Sequence, residues 1–271
     1  MTIIEFLKVL VLGVVEGITE WLPISSTGHM ILVNSFLKND GSFTASDLFI
    51  YVIQLGAILA VVTMFFKKLN PFAPSKSSDE KKGTWEMWFK VIAACIPAAV
   101  FGLLLDPIME KFETPYVVAA TLIIYGVLFI VIENMHKSPR ISDISNMTYK
   151  TAVLIGLFQV LSIIPGTSRS GATILGAIIL GCSRGVAAEF SFFLAIPVMV
   201  GVSFLKIISN LELMTGENII ILLTGMVIAY IVSMACIKFL MEFVKKHDFK
   251  VFGYYRIVLG IIVILYFSLI G

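Results

Sequence analysis

Trp21-Leu22-Pro23-Ile24-Ser25-Ser26-Thr27-Gly28-His29 interrupts the apolar region 1–37, and Pro165-Gly166-Thr167-Ser168-Arg169-Ser170-Gly171 interrupts a second one, 150–182. Proline, glycine and clustered hydroxyls end a helix and restart it, so each region reads as two helical arms around a break. Each arm has about 16 residues, or roughly 24 Å of helix, which is short for a hydrocarbon core about 30 Å thick. Both regions therefore read as helical hairpins that enter and leave on one side.

The rest of the chain supplies the membrane. Of its 271 residues 58% are hydrophobic and 14% charged, with a mean hydropathy of +0.98. Soluble domains carry about 25% charged residues, so an ordinary cytosolic enzyme and a disordered chain are excluded. A net charge of +2 gives no electrostatic case for nucleic acid. Cys95, Cys182 and Cys236 lie in apolar runs at wide spacing, against a disulfide framework or a thiolate metal site. Glu5 and Lys8 in the first apolar stretch, with no small-residue cleavage pattern, speak against a cleavable signal. Six stretches are long and apolar enough to span: 47–66, 88–105, 115–133, 187–208, 218–241 and 252–271.

Basic residues orient these spans. Loop 67–90 carries Lys67, Lys68, Lys76, Lys81, Lys82 and Lys90; segment 133–150 carries Lys137, Arg140 and Lys150; segment 238–250 carries Lys238, Lys245, Lys246 and Lys250. With Arg184, these 14 of the 20 lysines and arginines are placed in the cytoplasm. The opposite loops are acidic, with Asp106, Glu110 and Glu113 against Lys111, then Glu212 and Glu217; Lys206 is a mild exception. By parity, 150–182 enters and leaves from inside, and 1–37 does likewise from outside if the N-terminus is external, which the charges do not fix. Parity also permits four short full spans.

A shift of 143 residues superposes the two interrupted regions: Gly13 on Gly156, Glu16 on Gln159, Ser25 on Ser168, Gly28 on Gly171, Ile31-Leu32 on Ile174-Leu175. The predicted fold is thus an all-α polytopic membrane protein, one integral membrane domain over 1–271. It comprises six full transmembrane helices plus two re-entrant helical hairpins in an inverted-topology repeat (1–133 and 150–271). Such repeats place a shared site near the midplane where broken helices meet. Here that site falls at the hairpins 10–35 and 156–182.

Ionisable residues at membrane depth are costly and mark function by default. Glu16 and Glu20 lie one helical turn apart and need a proton, a cation or an arginine. Paired carboxylates suit Mg²⁺ or Ca²⁺. The bland alternative is a protonated pair bonded to the other hairpin. Ser25 or Ser26 is a natural cap for the second arm, yet three hydroxyls beside His29 exceed what capping requires. One turn separates Ser26 from His29, a spacing suited to an activated nucleophile or a proton shuttle. Arg169, with Ser168, Ser170, Thr173 and the backbone of the glycine-bearing break, forms an anion cradle most suited to phosphate, to which Ser25 and Thr27 add hydroxyls. Alternatively Arg169 merely neutralises Glu16 or Glu20. Gln159, Glu189, Arg184 and Arg256 read as structural, with Glu189 capping its span as Asp47 does.

EGITEWLPISSTGHMILV (16–33) and PGTSRSGATILGAIILG (165–181) closely resemble the two signature motifs of the undecaprenyl-diphosphate phosphatases, the bacitracin-resistance family of bacterial membranes. QLGAILAVV (54–62) and AAEFSFFLAIPVM (187–199) extend the resemblance over nearly the whole chain. It implies divalent-metal-dependent removal of the terminal phosphate from undecaprenyl diphosphate, recycling the lipid carrier for cell-wall synthesis. It also implies a multi-pass protein of the bacterial cytoplasmic membrane with its active site open to the outer face. By motif position Glu16 and Glu20 are the paired acids, Ser26 and His29 belong to the hydroxyl-histidine segment, and Arg169 is the arginine of the second motif. The chemistry then expected has Glu16 and Glu20 hold the metal or manage the proton, Ser26 attack with help from His29 or Glu20, and Arg169 bind the phosphates. A directly activated water is the competing version. The expected partners are the polyprenyl diphosphate substrate and membrane lipids, with a homodimer left open. The rival is a carrier or flippase for the lipid phosphate, because inverted repeats with broken helices also build transporters. A carrier has little use for a nucleophile with an acid/base pair.

Overall fold

Long apolar runs bounded by Ser/Thr caps fold as the hydropathy requires. The computed structural model describes every residue except 1, 40, 136, 137 and 271, and the backbone alone of 106, 107, 110 and 270. Lys137 and the side chains of Asp106 and Glu110, used above for orientation, lie outside the described residues. Among the described residues there are eleven α-helices and no β-strand. They are α1 (Ile3–Thr19), α2 (Ser26–Phe36), α3 (Asp47–Met64), α4 (Phe66–Leu69), α5 (Ser78–Met109), α6 (Pro115–Asn134), α7 (Tyr149–Val160), α8 (Arg169–Ile179), α9 (Arg184–Ser209), α10 (Gly216–Phe243) and α11 (Lys250–Ile270).

Six of these, α3, α5, α6, α9, α10 and α11, are long and apolar enough to cross a membrane, and they coincide with the six predicted spans. The remaining long elements are the arms of the two interrupted regions. Helices α2 and α8 have 11 residues each, about 16 Å of rise, well short of a core about 30 Å thick. These two arms, and α7 with 12 residues, are shorter than expected, while α1 has 17; the breaks take up residues 20–25 between α1 and α2, and 161–168 before α8.

The two halves are built alike. Ser25 caps α2 with φ 74° and ψ 104°, its Oγ accepting from the Gly28 N–H at 3.3 Å. Ser168 caps α8 with φ 71° and ψ 124°, its Oγ accepting from Gly171 N–H at 3.2 Å. A positive φ is costly for serine, so the same strained turn at positions 143 apart is a shared constraint, not an accident of packing. The packing matches too: α1 lies on α10 and α7 on α5, while α3 pairs with α9 and α6 with α11. At one end of the α3–α9 pair Lys206 Nζ meets Asp47 at 2.7 Å; at the other Lys68 Nζ meets Glu189 at 2.6 Å. Lys206 therefore stands where it does because Asp47 holds it. The caps of these helices are Ser46 and Ser183 rather than Asp47 and Glu189, since a short hydroxyl reaches the N3 amide better than a pairing carboxylate. Arg184 binds Glu133 in a fork (3.0 and 2.6 Å), and Glu133 also accepts from the Phe249 N–H, tying α6, α9 and the start of α11.

Between apolar helices in lipid, attraction comes from close packing, which small residues permit. A Cβ added at Gly156 of α7 would lie 2.1 Å from the Ala94 carbonyl oxygen of α5, so this crossing needs glycine. Gly156→Ala is expected to destabilise the protein by about 1–3 kcal/mol. Gly102→Ala, where a Cβ meets nothing within 4 Å, is expected to leave stability unchanged or slightly higher. Thermal unfolding of the two variants in the same detergent checks the contrast.

Candidate active site

The breaks bring the N-termini of α2 and α8 together. Ser170 Oγ donates to the Leu22 carbonyl across the hairpins at 3.2 Å. Beside it, Arg169 Nη2 meets Glu20 Oε1 at 3.0 Å, and Ser26 Oγ donates to Glu20 Oε2 at 3.0 Å. Glu20 and Arg169 are both about nine-tenths buried. Arg169 Nη1 donates to the Ser191 carbonyl at 2.8 Å, and its guanidinium lies 5.8 Å from the ring centre of Trp21. Trp21 is wholly buried and edge-on to Phe192. The nucleophile candidate, its carboxylate and the arginine thus form one chain of polar contacts across the two hairpins.

Glu16 lies one turn from Glu20 and is fully buried, yet neither of its oxygens has a hydrogen-bond partner. Gln159, at the matching position of the second hairpin, is likewise buried with both amide atoms unpaired. All buried side-chain N and O atoms lacking a partner among the described residues belong to the two hairpins, Arg169 Nε included. Buried polar groups are normally satisfied, and a cluster that is not marks a place where something else supplies the bonds. A cavity of about 540 Å³ adjoins it, lined by Glu16, Ser26, Thr27, Asn34, Gln54 and the Pro165 side of the second break, among others.

The structure redistributes several predicted roles. Ser26, the expected nucleophile, and Thr27, an expected phosphate ligand, line the cavity. Of the other residues expected to bind phosphate, Ser170 and Thr173 donate their hydroxyls to carbonyls of the protein, whereas Ser25 and Ser168 accept from backbone N–H groups and keep a hydroxyl hydrogen to donate. Ser25 and Ser168 cap helices, and Ser170 bridges the hairpins. Thr173, fully buried, donates to the Arg169 carbonyl at 2.9 Å and meets Ser191 Oγ at 2.7 Å. Each hydroxyl has a backbone or side-chain group within reach, and in a membrane interior that bond forms first. The groups left to face an anion include the first-turn N–H groups of the two short helices.

His29 does not bond Ser26. Its Nδ1 lies 2.7 Å from the Ser25 carbonyl, which can only accept, so Nδ1 carries a hydrogen; its Nε2 lies 2.7 Å from the Tyr255 hydroxyl, with the rings stacked 5.6 Å apart. The imidazole therefore braces the strained Ser25 turn against α11. Glu20, expected to share a metal with Glu16, has both oxygens engaged by Arg169 and Ser26. Arg256, read as structural, is fully buried and donates to the Pro23, Gly166 and Thr167 carbonyls, one or two residues before each strained serine. An arginine inside the last apolar span, near its start, was the signal for it.

The family model of the bacitracin resistance protein BacA matches residues 9–262, a stretch containing both hairpins and every site residue above. The chain belongs to this family. BacA-family relatives of similar length align end to end. An undecaprenyl-diphosphatase of Desulfitobacterium hafniense is 57% identical over 272 residues, covering 99% of this chain and 98% of the relative. One of Streptococcus thermophilus is 58% identical, covering 97% and 94%, and one of Enterococcus faecalis is 55% identical, covering 96% of each.

Proposed function

We propose that this chain hydrolyses undecaprenyl diphosphate to undecaprenyl phosphate and inorganic phosphate at the junction of its two hairpins. The observation that carries this reading is the Ser26–Glu20–Arg169 chain of contacts; the activity in the names of the relatives supports it. In this mechanism Ser26 Oγ attacks the terminal phosphorus while Glu20 Oε2 accepts its proton. The bridging P–O bond breaks, and undecaprenyl phosphate leaves. The proton on Glu20 passes to the departing undecaprenyl phosphate, so Glu20 is again a carboxylate when water attacks the phosphoserine. It takes a proton from that water and returns it to Ser26 Oγ as the Ser26–phosphorus bond breaks and inorganic phosphate leaves. Arg169 and the N–H groups opening α2 and α8 hold the negative charge that develops on the phosphoryl oxygens.

Glu16 fits a hard divalent cation: a buried carboxylate with two free oxygens faces a cavity of hydroxyl and amide oxygens. Among the described residues no group of three or more His, Cys, Asp or Glu surrounds it. Neutral oxygens, water and the substrate phosphates would complete the shell, as suits Mg²⁺. When bound, such an ion would offset charge on the diphosphate.

The reading places both hairpins as re-entrant, in an inverted-topology repeat in the bacterial cytoplasmic membrane. The short α2 and α8, the paired strained serines and the exchanged helix partners support it. The cavity side of the first hairpin then faces outward, away from the lysine-rich loops. The test is phosphate release from undecaprenyl diphosphate by purified protein in detergent, with Mg²⁺, with Ca²⁺ and with EDTA. Metal-dependent release that EDTA abolishes is the expected outcome. Tight binding of the lipid without release by folded protein would transfer the site to a carrier.

A further inference from the structure

The last transmembrane helix contributes no group to the Ser26–Glu20–Arg169 chain, yet it carries a fully buried arginine. Arg256 Nη1 donates to the Pro23 carbonyl at 3.2 Å, and Nη2 donates to Gly166 and Thr167 at 3.1 and 3.0 Å. Its Nε reaches the Leu122 carbonyl at 3.4 Å, and the guanidinium lies 5.4 Å from the Tyr125 ring centre. A Cβ built on Gly171, in the first turn of α8, would come within 3.1 Å of Nη1. Among the described residues no carboxylate pairs with it.

A charge in a membrane-spanning helix is expensive, and carbonyls at a helix break can be satisfied more cheaply by neutral donors. What only arginine offers is a rigid fork whose arms point in fixed, divergent directions. Here one arm holds the first break and the other holds the second. The three carbonyls sit just ahead of Ser25 and Ser168, the two turns from which α2 and α8 start. The hydroxyl of the preceding residue, Tyr255, lies 2.7 Å from His29 Nε2 in the first hairpin.

We propose that Arg256 is a positioning residue for the hydrolysis: its fork spans the two breaks and sets the spacing at which Arg169 on α8 meets Glu20 and Ser26 at the first. It touches neither substrate nor reacting atoms, and it acts through the breaks alone. The proposal rests on the phosphatase reading for its kinetic consequence but not for its geometric one. A lysine keeps the charge and offers a single point of donation, which cannot hold both breaks.

The test compares the parent with Arg256→Lys, full chain in detergent. Activity on undecaprenyl diphosphate is measured with unfolding followed in parallel. Distances are read between spin labels at Phe36→Cys and Ile179→Cys, exposed positions at the far ends of α2 and α8, in a chain whose native cysteines are replaced. The expected result is a folded variant with kcat about 100-fold lower, the loss that displacement of about 1 Å causes. KM should be little changed, and the label distance broader than the parent's. Parental kcat with a narrow distance overturns the proposal. So does a variant that loses its fold, which would assign Arg256 to structure alone. An inactive parent with a broadened distance in Arg256→Lys counts against the phosphatase reading and leaves the positioning role standing.

Discussion

Ser26→Ala is expected to release phosphate from undecaprenyl diphosphate about 10⁴-fold more slowly than the parent, with unchanged thermal unfolding. The size follows from what the hydroxyl does. Ser26 Oγ already donates to Glu20 Oε2 at 3.0 Å, so the proton has a destination before attack begins. Ser26 is neither of the strained caps, and its removal takes no bond from a helix terminus. The loss is therefore chemical, not structural. A competing mechanism has Glu20 activate a water directly, with Ser26 only orienting it. That version predicts a loss of about 10-fold, the scale of one neutral hydrogen bond. Acid quenching during turnover, followed by mass analysis of the Ser26 peptide, separates the two. A phosphate adduct on Ser26 supports attack by serine; none in active protein, with most activity kept in Ser26→Ala, refutes it.

What the residues announced in advance and what they withheld divide along a physical line. The six spans follow from hydropathy, a local property, and all six appear as helices. The breaks follow from Pro23 and Pro165-Gly166, whose restrictions on the backbone are equally local. The caps were half legible: Ser25 or Ser26 fitted by type, and the structure takes Ser25 in a strained turn that no propensity favours. Side-chain partners were not legible, because they depend on contacts far apart in sequence. Ser170 looks like a phosphate ligand until Leu22 is placed beside it. His29 looks like the partner of Ser26 until Tyr255 is found against its ring. Lys206 looks misplaced for its side of the membrane until Asp47 meets it. Arg256 is the sharpest case: one arginine in an apolar span carries no hint that its targets lie in both hairpins.

Arg169→Lys is expected to lower kcat/KM by about 10³-fold, the scale of losing a charge-stabilising clamp on a transferring phosphoryl group. Two readings of Arg169 compete. If it only neutralises Glu20, any buried cation at the site suffices, and lysine should retain most of the activity. If its guanidinium, with its plane fixed by Ser191 and Glu20, aims its remaining N–H groups at phosphate, lysine fails although the charge is kept, because a flexible ammonium cannot reproduce that fixed set of donors. The geometry favours the second reading. One arm is held by the Ser191 carbonyl and the other by Glu20, the face lies over Trp21, and Nε is buried without a partner. A residue that merely balanced charge would have no need of so many restraints on its plane. Arg169→Ala is the less informative change, since it strands Glu20 as an unpaired buried charge and costs about 3–5 kcal/mol of stability. Lysine avoids that penalty, so the measurement to make is kcat/KM on folded Arg169→Lys. Near-parental activity there would reduce the arginine to a counter-ion, and leave the helix N-termini, with any cation bound at Glu16, to hold the phosphates.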